Sequence, residues 1–143
     1  MATYTTYTDG TTIKKQAAPR GNSSGTPYLL VADYDATRRN GAAADIFEIA
    51  DIPAGTLVLH AVVETIAADA TQTLNVGDGG DPNGFADAVD VGTLGNIANG
   101  AGAYVVAAGK FYATADTLDI EVPATKAWDT LKARVSILCV SVP

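Results

Sequence analysis

Alternation with a period of two runs through most of this chain and confines it to β-structure. In "TLDIEV" (117–122), Leu118, Ile120 and Val122 share one face, leaving Thr117, Asp119 and Glu121 to point outward. "YLLVADYD" (28–35), "DIFEIAD" (45–51) and "TQTLNV" (71–76) read the same way, while "TLVLHAVVETI" (56–66) is apolar on both faces for most of its length. A long final strand is expected over 129–142, with shorter ones at 85–91, 103–107 and 110–113. Pro53 and Gly55 close the "IPAG" turn between two of the longer strands. Glycines, prolines and β-branched residues leave helix only a short turn near 124–129. About eight strands separated by turn signals predict an all-β, jelly-roll-like two-sheet sandwich.

Residues 1–27 differ in character. They are rich in Thr, Gly, Ser and Asn, and too polar to bury a core of their own. They read as an extended N-terminal arm ahead of a domain at 28–143, with a reach of roughly 90 Å at ~3.3 Å per residue. The chain's net charge of −7 divides at about the same place. Residues 1–40 hold five Lys/Arg against three Asp, and residues 41–143 hold four against thirteen Asp/Glu. An acidic body repels phosphates, which argues against a nucleic-acid partner. Lys14, Lys15 and Arg20 on the arm are instead candidates for contact with an acidic protein surface, or for plain solvation of a polar tail. The apolar stretches fall well short of the ~20 residues that span a bilayer, so no membrane partner is expected. The first fifteen residues contain no apolar core of a signal peptide. The single cysteine, Cys139, reads as a buried strand residue, and synthesis in a cytosol follows most simply.

The loop "NVGDGGDPNG" (75–84) is the one stretch with the composition of a ligand site. Its acids are three apart with no distal glutamate, unlike a calcium-binding helix–loop–helix, and neither a helix nor a lysine follows as in a phosphate loop. A tight strand connection, with local Asp/Asn hydrogen bonds, is expected, and no metal or cofactor is assigned. His60 is the sole histidine and lies mid-strand among aliphatics, where it is expected to be structural. Trp128 and Tyr112 are read as core or interface anchors before a sugar-stacking platform. No catalytic residue is assigned. The final strand holds an anomaly: its even positions run Lys132, Arg134, Ser136 and then Leu138, Val140, Val142, opposite odd positions that are mostly apolar throughout. The apolar third lies either under loops or against another subunit, which makes Leu138, Val140 and Val142 candidate partner-binding residues.

From about 45 to 142 the sequence resembles the capsid cement or decoration proteins of tailed bacteriophages, small structural proteins with a jelly-roll fold. The stretches that carry this are "DIFEIADIPAGTLVLHAVVETI", "TQTLNVGDGGDPNGFADAVDV", "GAYVVAAGKFYATADTLDIEV" and "KARVSILCVSV". The resemblance implies a non-enzymatic virion protein, assembled in the host bacterial cytoplasm, that binds the outside of an icosahedral capsid. Its implied partners are an HK97-like major capsid protein and further copies of itself, as a homodimer or homotrimer. Related sequences also serve in tails and fibres, so a sugar- or receptor-binding module is the alternative. The arm lies outside the matched stretches.

Overall fold

The computed structural model describes residues 3–4, 6–8, 12–14 and 27–142. Its strands are β1 (Thr3–Tyr4), β2 (Thr6–Thr8), β3 (Thr12–Lys14), β4 (Pro27–Asp35), β5 (Ile46–Ile52), β6 (Thr56–Ala67), β7 (Thr73–Gly77), β8 (Ala86–Asp90), β9 (Ile97–Asn99), β10 (Lys110–Tyr112), β11 (Asp116–Glu121) and β12 (Lys132–Ser141). One helical turn, α1 (Ala103–Val106), is the only helix among the described residues. The first sheet runs β1-β5-β11-β7-β8, and the second runs β10-β6-β12-β4 with β9 also on β6. From β4 to β12 the chain passes repeatedly from one sheet to the other, making the all-β two-sheet sandwich the alternation predicts.

The core lies between the sheets. Odd residues of β12 face it (Ala133, Val135, Ile137 and Cys139 are all buried), as do Phe47 of β5, Val76 of β7 and Ile120 of β11. At one end Tyr34, Phe47 and Trp128 pack ring against ring, with centroids 4.8–6.2 Å apart. The Trp128 indole N–H donates to the Thr73 carbonyl at 2.9 Å, so the ring is buried with its one polar atom paired. Burying such a ring contributes more than any other single side chain here, since aromatic residues remove 150–250 Å² each from water.

Three expectations need correction. The stretch 103–107 holds the helical turn α1 (Ala103–Val106) and its C-cap Ala107, not a strand. Gly102, packed against the backbone of Asn83 and Gly84, starts that turn, and Gly109 at φ 116° releases it, so Tyr104 and Val105 both face the body. The short turn near 124–129 is not helical: Lys126 N–H closes a tight turn on the Pro123 carbonyl at 2.9 Å, and the Trp128 backbone then pairs with Gly41 in both directions. Asp119 is the third. It points out of the core as the alternation requires, yet is 3% exposed. The 78–84 loop folds back over its strand neighbour Gly77, where a Cβ would run into the Asp81 carbonyl and Pro82.

Part of the N-terminal segment is placed on the body. Thr3 and Tyr4 pair in parallel with Ile46 and Phe47 at the edge of the first sheet. β2 and β3 form a hairpin, and β3 lies against β5. Lys14 ends β3, whereas Lys15 and Arg20 lie outside the described residues.

Candidate functional site

The 75–84 loop is organised by one carboxylate. Asp78 is fully buried and accepts from Gly80 N–H at 2.9 Å and Asp81 N–H at 2.8 Å, the local turn bonds its composition predicts. It also accepts from Lys110 Nζ and Tyr112 Oη, each at 2.6 Å, and from Tyr104 Oη at 3.3 Å. A carboxylate offers about four lone-pair sites, and five donors saturate them. The Lys110 ammonium therefore stands where a bound cation would stand, 2.6 Å from Oδ2 and 4.0 Å above the Tyr104 ring. Burial pushes the Asp78 carboxyl upward, but the bonds from Lys110, Tyr112 and the two backbone amides outweigh it and hold the group below its usual range. Burial and the same carboxylate keep the Tyr112 phenol protonated far above its ordinary pKa. The arrangement is a rivet between loop, α1 and β10; it leaves the carboxylate nothing to offer a substrate. Sequence reading missed it because Lys110 and the two tyrosines lie 26–34 residues downstream.

Asp119 is the second unusual carboxyl. Its Oδ1 is buried without a hydrogen-bond partner among the described residues, and its register partner across the strand pair is Glu48. Burial, with repulsion from Glu48, Asp116 and Asp78, raises it to about 7 despite an opposing bond from Thr117. A group protonated more readily in the folded chain than in the unfolded one favours folding most at low pH. Its contribution is complete below about pH 3.8 and is lost as pH rises through about 7. Asp119→Asn is therefore expected to flatten the fall in stability across that window. The displacement converts at ~1.36 kcal/mol per pH unit to about 4 kcal/mol, and relaxation of the covering loop reduces the gain at pH 8 to about 2 kcal/mol. Urea melts of both proteins at pH 5 and pH 8 check this; equal stabilities at pH 8 contradict it.

The sheet separates the remaining reactive groups. Cys139 faces the core and His60 the outside of the adjacent strand, with His60 Nε2 3.3 Å from Asn99 Oδ1, so they form no thiol–imidazole pair. Burial pushes the Cys139 thiol up to about 12. The native protein should then resist a thiol reagent at pH 8 for as long as it stays folded and react once denatured. Rapid labelling of native protein is the contrary result. Trp128 and Tyr112 are both buried, which removes them as a sugar-stacking platform. A cleft of about 580 Å³ opens beside Trp128, between Asp45, Asp69 and Gln72. Its acids brace loops: Asp69 Oδ2 accepts from the Asp129 and Thr130 amides, and Asp45 Oδ2 from Ala42.

The outer face of the second sheet carries the even residues of β12, and strand register sorts it into rows. Phe111, Leu57, Val140 and Pro27 lie side by side across the four strands. His60, Leu138 and Leu29 form the next row, followed by Asn99, Val62, Ser136 and Val31. Charge begins only at the row of Ile97, Glu64, Arg134 and Asp33, and ends with Lys132 and Asp35. Leu138 and Val140 are half-buried by these neighbours, and Val142, just past β12, is exposed with its N–H on the Gly55 carbonyl. Leu29 (58%), Phe111 (50%) and Ile97 (67%) stand in water on the same face.

No protein-family model matches the chain, and no curated protein matches it in sequence. Solved structures do match in fold. A chain in the capsid of Ralstonia phage GP4 superposes with a TM-score of 0.67 at 18% identity, over 87% of this chain and 90% of that one. The fold is one that phage capsids use. A chain of the cyanophage Pam1 capsid asymmetric unit gives 0.59 at 21% identity, over 90% and 94%. A chain of the acidic stable capsid of Helicobacter pylori bacteriophage KHP30 gives 0.56 at 19%, over 82% and 90%.

Proposed function

We propose that this chain is a virion structural protein of a tailed bacteriophage, a capsid cement or decoration protein with no enzymatic role. It binds the outer surface of an icosahedral shell and stabilises contacts between subunits of an HK97-like major capsid protein, alongside further copies of itself. The observation that carries this reading is fold similarity to chains of three phage capsids, covering nine-tenths or more of each of those chains. The chemistry fits: Asp78 and Asp69 are committed to bracing loops, and Leu29, Ile97 and Phe111 expose apolar surface on one sheet face. Beyond β3, which ends at Lys14, the arm with Lys15 and Arg20 reaches a neighbouring subunit and adds a second contact to that of the body. Its place of work is the capsid surface, reached after synthesis in the host cytoplasm.

A cement protein acts by raising the stress at which its shell fails. Capsids lacking the protein, heated with a DNA-binding dye, should release DNA several degrees earlier than capsids to which it has been added back. Equal release temperatures at saturating protein would refute cementing. A glycan-array signal from protein that shows no capsid affinity would favour the tail or fibre module.

A further inference from the structure

We propose that the 79–84 segment is a proton-operated flap, seated on the first sheet while Asp119 is protonated and lifting when Asp119 ionises. The inference concerns the free chain and does not rest on the capsid reading. The seat is built into the sheet. Asp119 and Gly77 are register partners and share one face, where a Cβ at Gly77 would run into the Asp81 carbonyl and Pro82. The flap therefore lies on the strand beside Asp119, which is 3% exposed with Oδ1 unpaired among the described residues. A neutral carboxyl left there lacks one hydrogen bond, whereas a carboxylate left there is an unpaired buried charge, a far larger cost.

The elements packed around Asp119 add to that cost. β5 brings Glu48, its register partner, and Asp51; β11 itself brings Asp116 and Glu121; the loop brings Asp78 and Asp81. None of β5, β7, β11 and residues 78–84 contains a lysine, arginine or histidine. Lys110, on β10 of the other sheet, is held by Asp78 and Tyr104, and β3, which ends at Lys14, lies against β5. Little ties the flap down. Among the described residues, the only hydrogen bond from 79–83 to another strand is Gly79 N–H to Asp116 Oδ1, at 3.3 Å. The others close on Asp78 or Gly84. Asp78 Oδ2 is fixed by Lys110 and Tyr112, so lifting Asp81 breaks the Gly80 and Asp81 N–H bonds to Oδ1.

Burial first, then repulsion from Glu48, Asp116 and Asp78, raises Asp119 to about 7 in the closed chain, against 3.8 for a freed carboxyl. A group with the higher pKa in the closed state favours closure at low pH. The opening equilibrium therefore rises between those two values, by up to about tenfold per pH unit, and levels off above them. Amide hydrogen exchange of the full chain, read residue by residue, tests this. Protection factors at Gly80 and Asp81, which already allow for the intrinsic effect of pH, should fall by about tenfold or more from pH 5 to pH 7 and level off by pH 9. At every pH they should stay below those of β12, which is flanked by β6 and β4 and reports global unfolding. Asp119→Asn should abolish the fall. Constant protection at Gly80 and Asp81 from pH 5 to pH 7 overturns the proposal, as does a fall that persists in Asp119→Asn. Protection equal to that of β12 at every pH means opening by global unfolding alone, and overturns it too.

Discussion

Asp78→Ala should destabilise the chain by about 3–5 kcal/mol, the usual cost of removing one partner from a buried ion pair. At 143 residues this corresponds to a melting temperature lower by on the order of 10 °C. The substitution removes the acceptor of five hydrogen bonds at once and leaves the Tyr112 hydroxyl buried and the Lys110 ammonium, 29% exposed, without its counter-ion. Adding Lys110→Met to Asp78→Ala should recover part of the loss, because the orphaned charge goes with it. Two substitutions that add without coupling, or a single variant melting within about 2 °C of the parent, would contradict the rivet. The acid side follows by linkage. A carboxyl held below its ordinary pKa contributes stability above about pH 3.8 that is lost as pH falls through its folded value. Asp78→Ala should therefore be less acid-sensitive than the parent. With Lys110 as the loop's cation, a calcium chelator should leave the melting temperature unchanged; a drop of several degrees would show a bound ion.

The second large effect is expected in binding. Deleting residues 2–24 should weaken attachment to the shell by roughly 10²–10⁴, the gain a tether confers when it makes a second contact intramolecular. The deletion removes β1, whose pairing with β5 involves only Thr3 and Tyr4, and the β2–β3 hairpin that lies against β5, but none of β4 to β12, so the sandwich should survive with a melting temperature within a few degrees. Part of the binding loss should shrink at high salt, where exposed ion pairs formed by Lys14, Lys15 and Arg20 are screened. Equal capsid affinity with and without the arm would make it a passive tail. Failure of the shortened chain to fold would show that the sandwich needs β1 and the β2–β3 hairpin.

Period-two alternation made the long strands legible, since each buries one face and the pattern repeats over five or more residues. β9 escaped notice because three residues of "IAN" hold too little alternation to stand out. The composition of "AYVVA", rich in β-branched and aromatic residues, points to a strand where α1 stands, because the glycines that start and release its turn act through backbone geometry that composition does not carry. Asp119 shows the limit of alternation: period two gives the face a side chain leaves by, not what later folds over it. The candidate partner residues Leu138, Val140 and Val142 were visible as an anomaly in one strand. Their significance needs the register that sets Leu29 beside Leu138 and Phe111 beside Leu57, which no single strand contains.

The most direct test of the account is co-sedimentation with capsids that lack this protein. The full chain should pellet with them saturably, at a fixed number of copies per major capsid subunit, and remain in the supernatant when shells are omitted. A chain that stays in solution at every capsid concentration, or pellets without saturating, would contradict a cement protein.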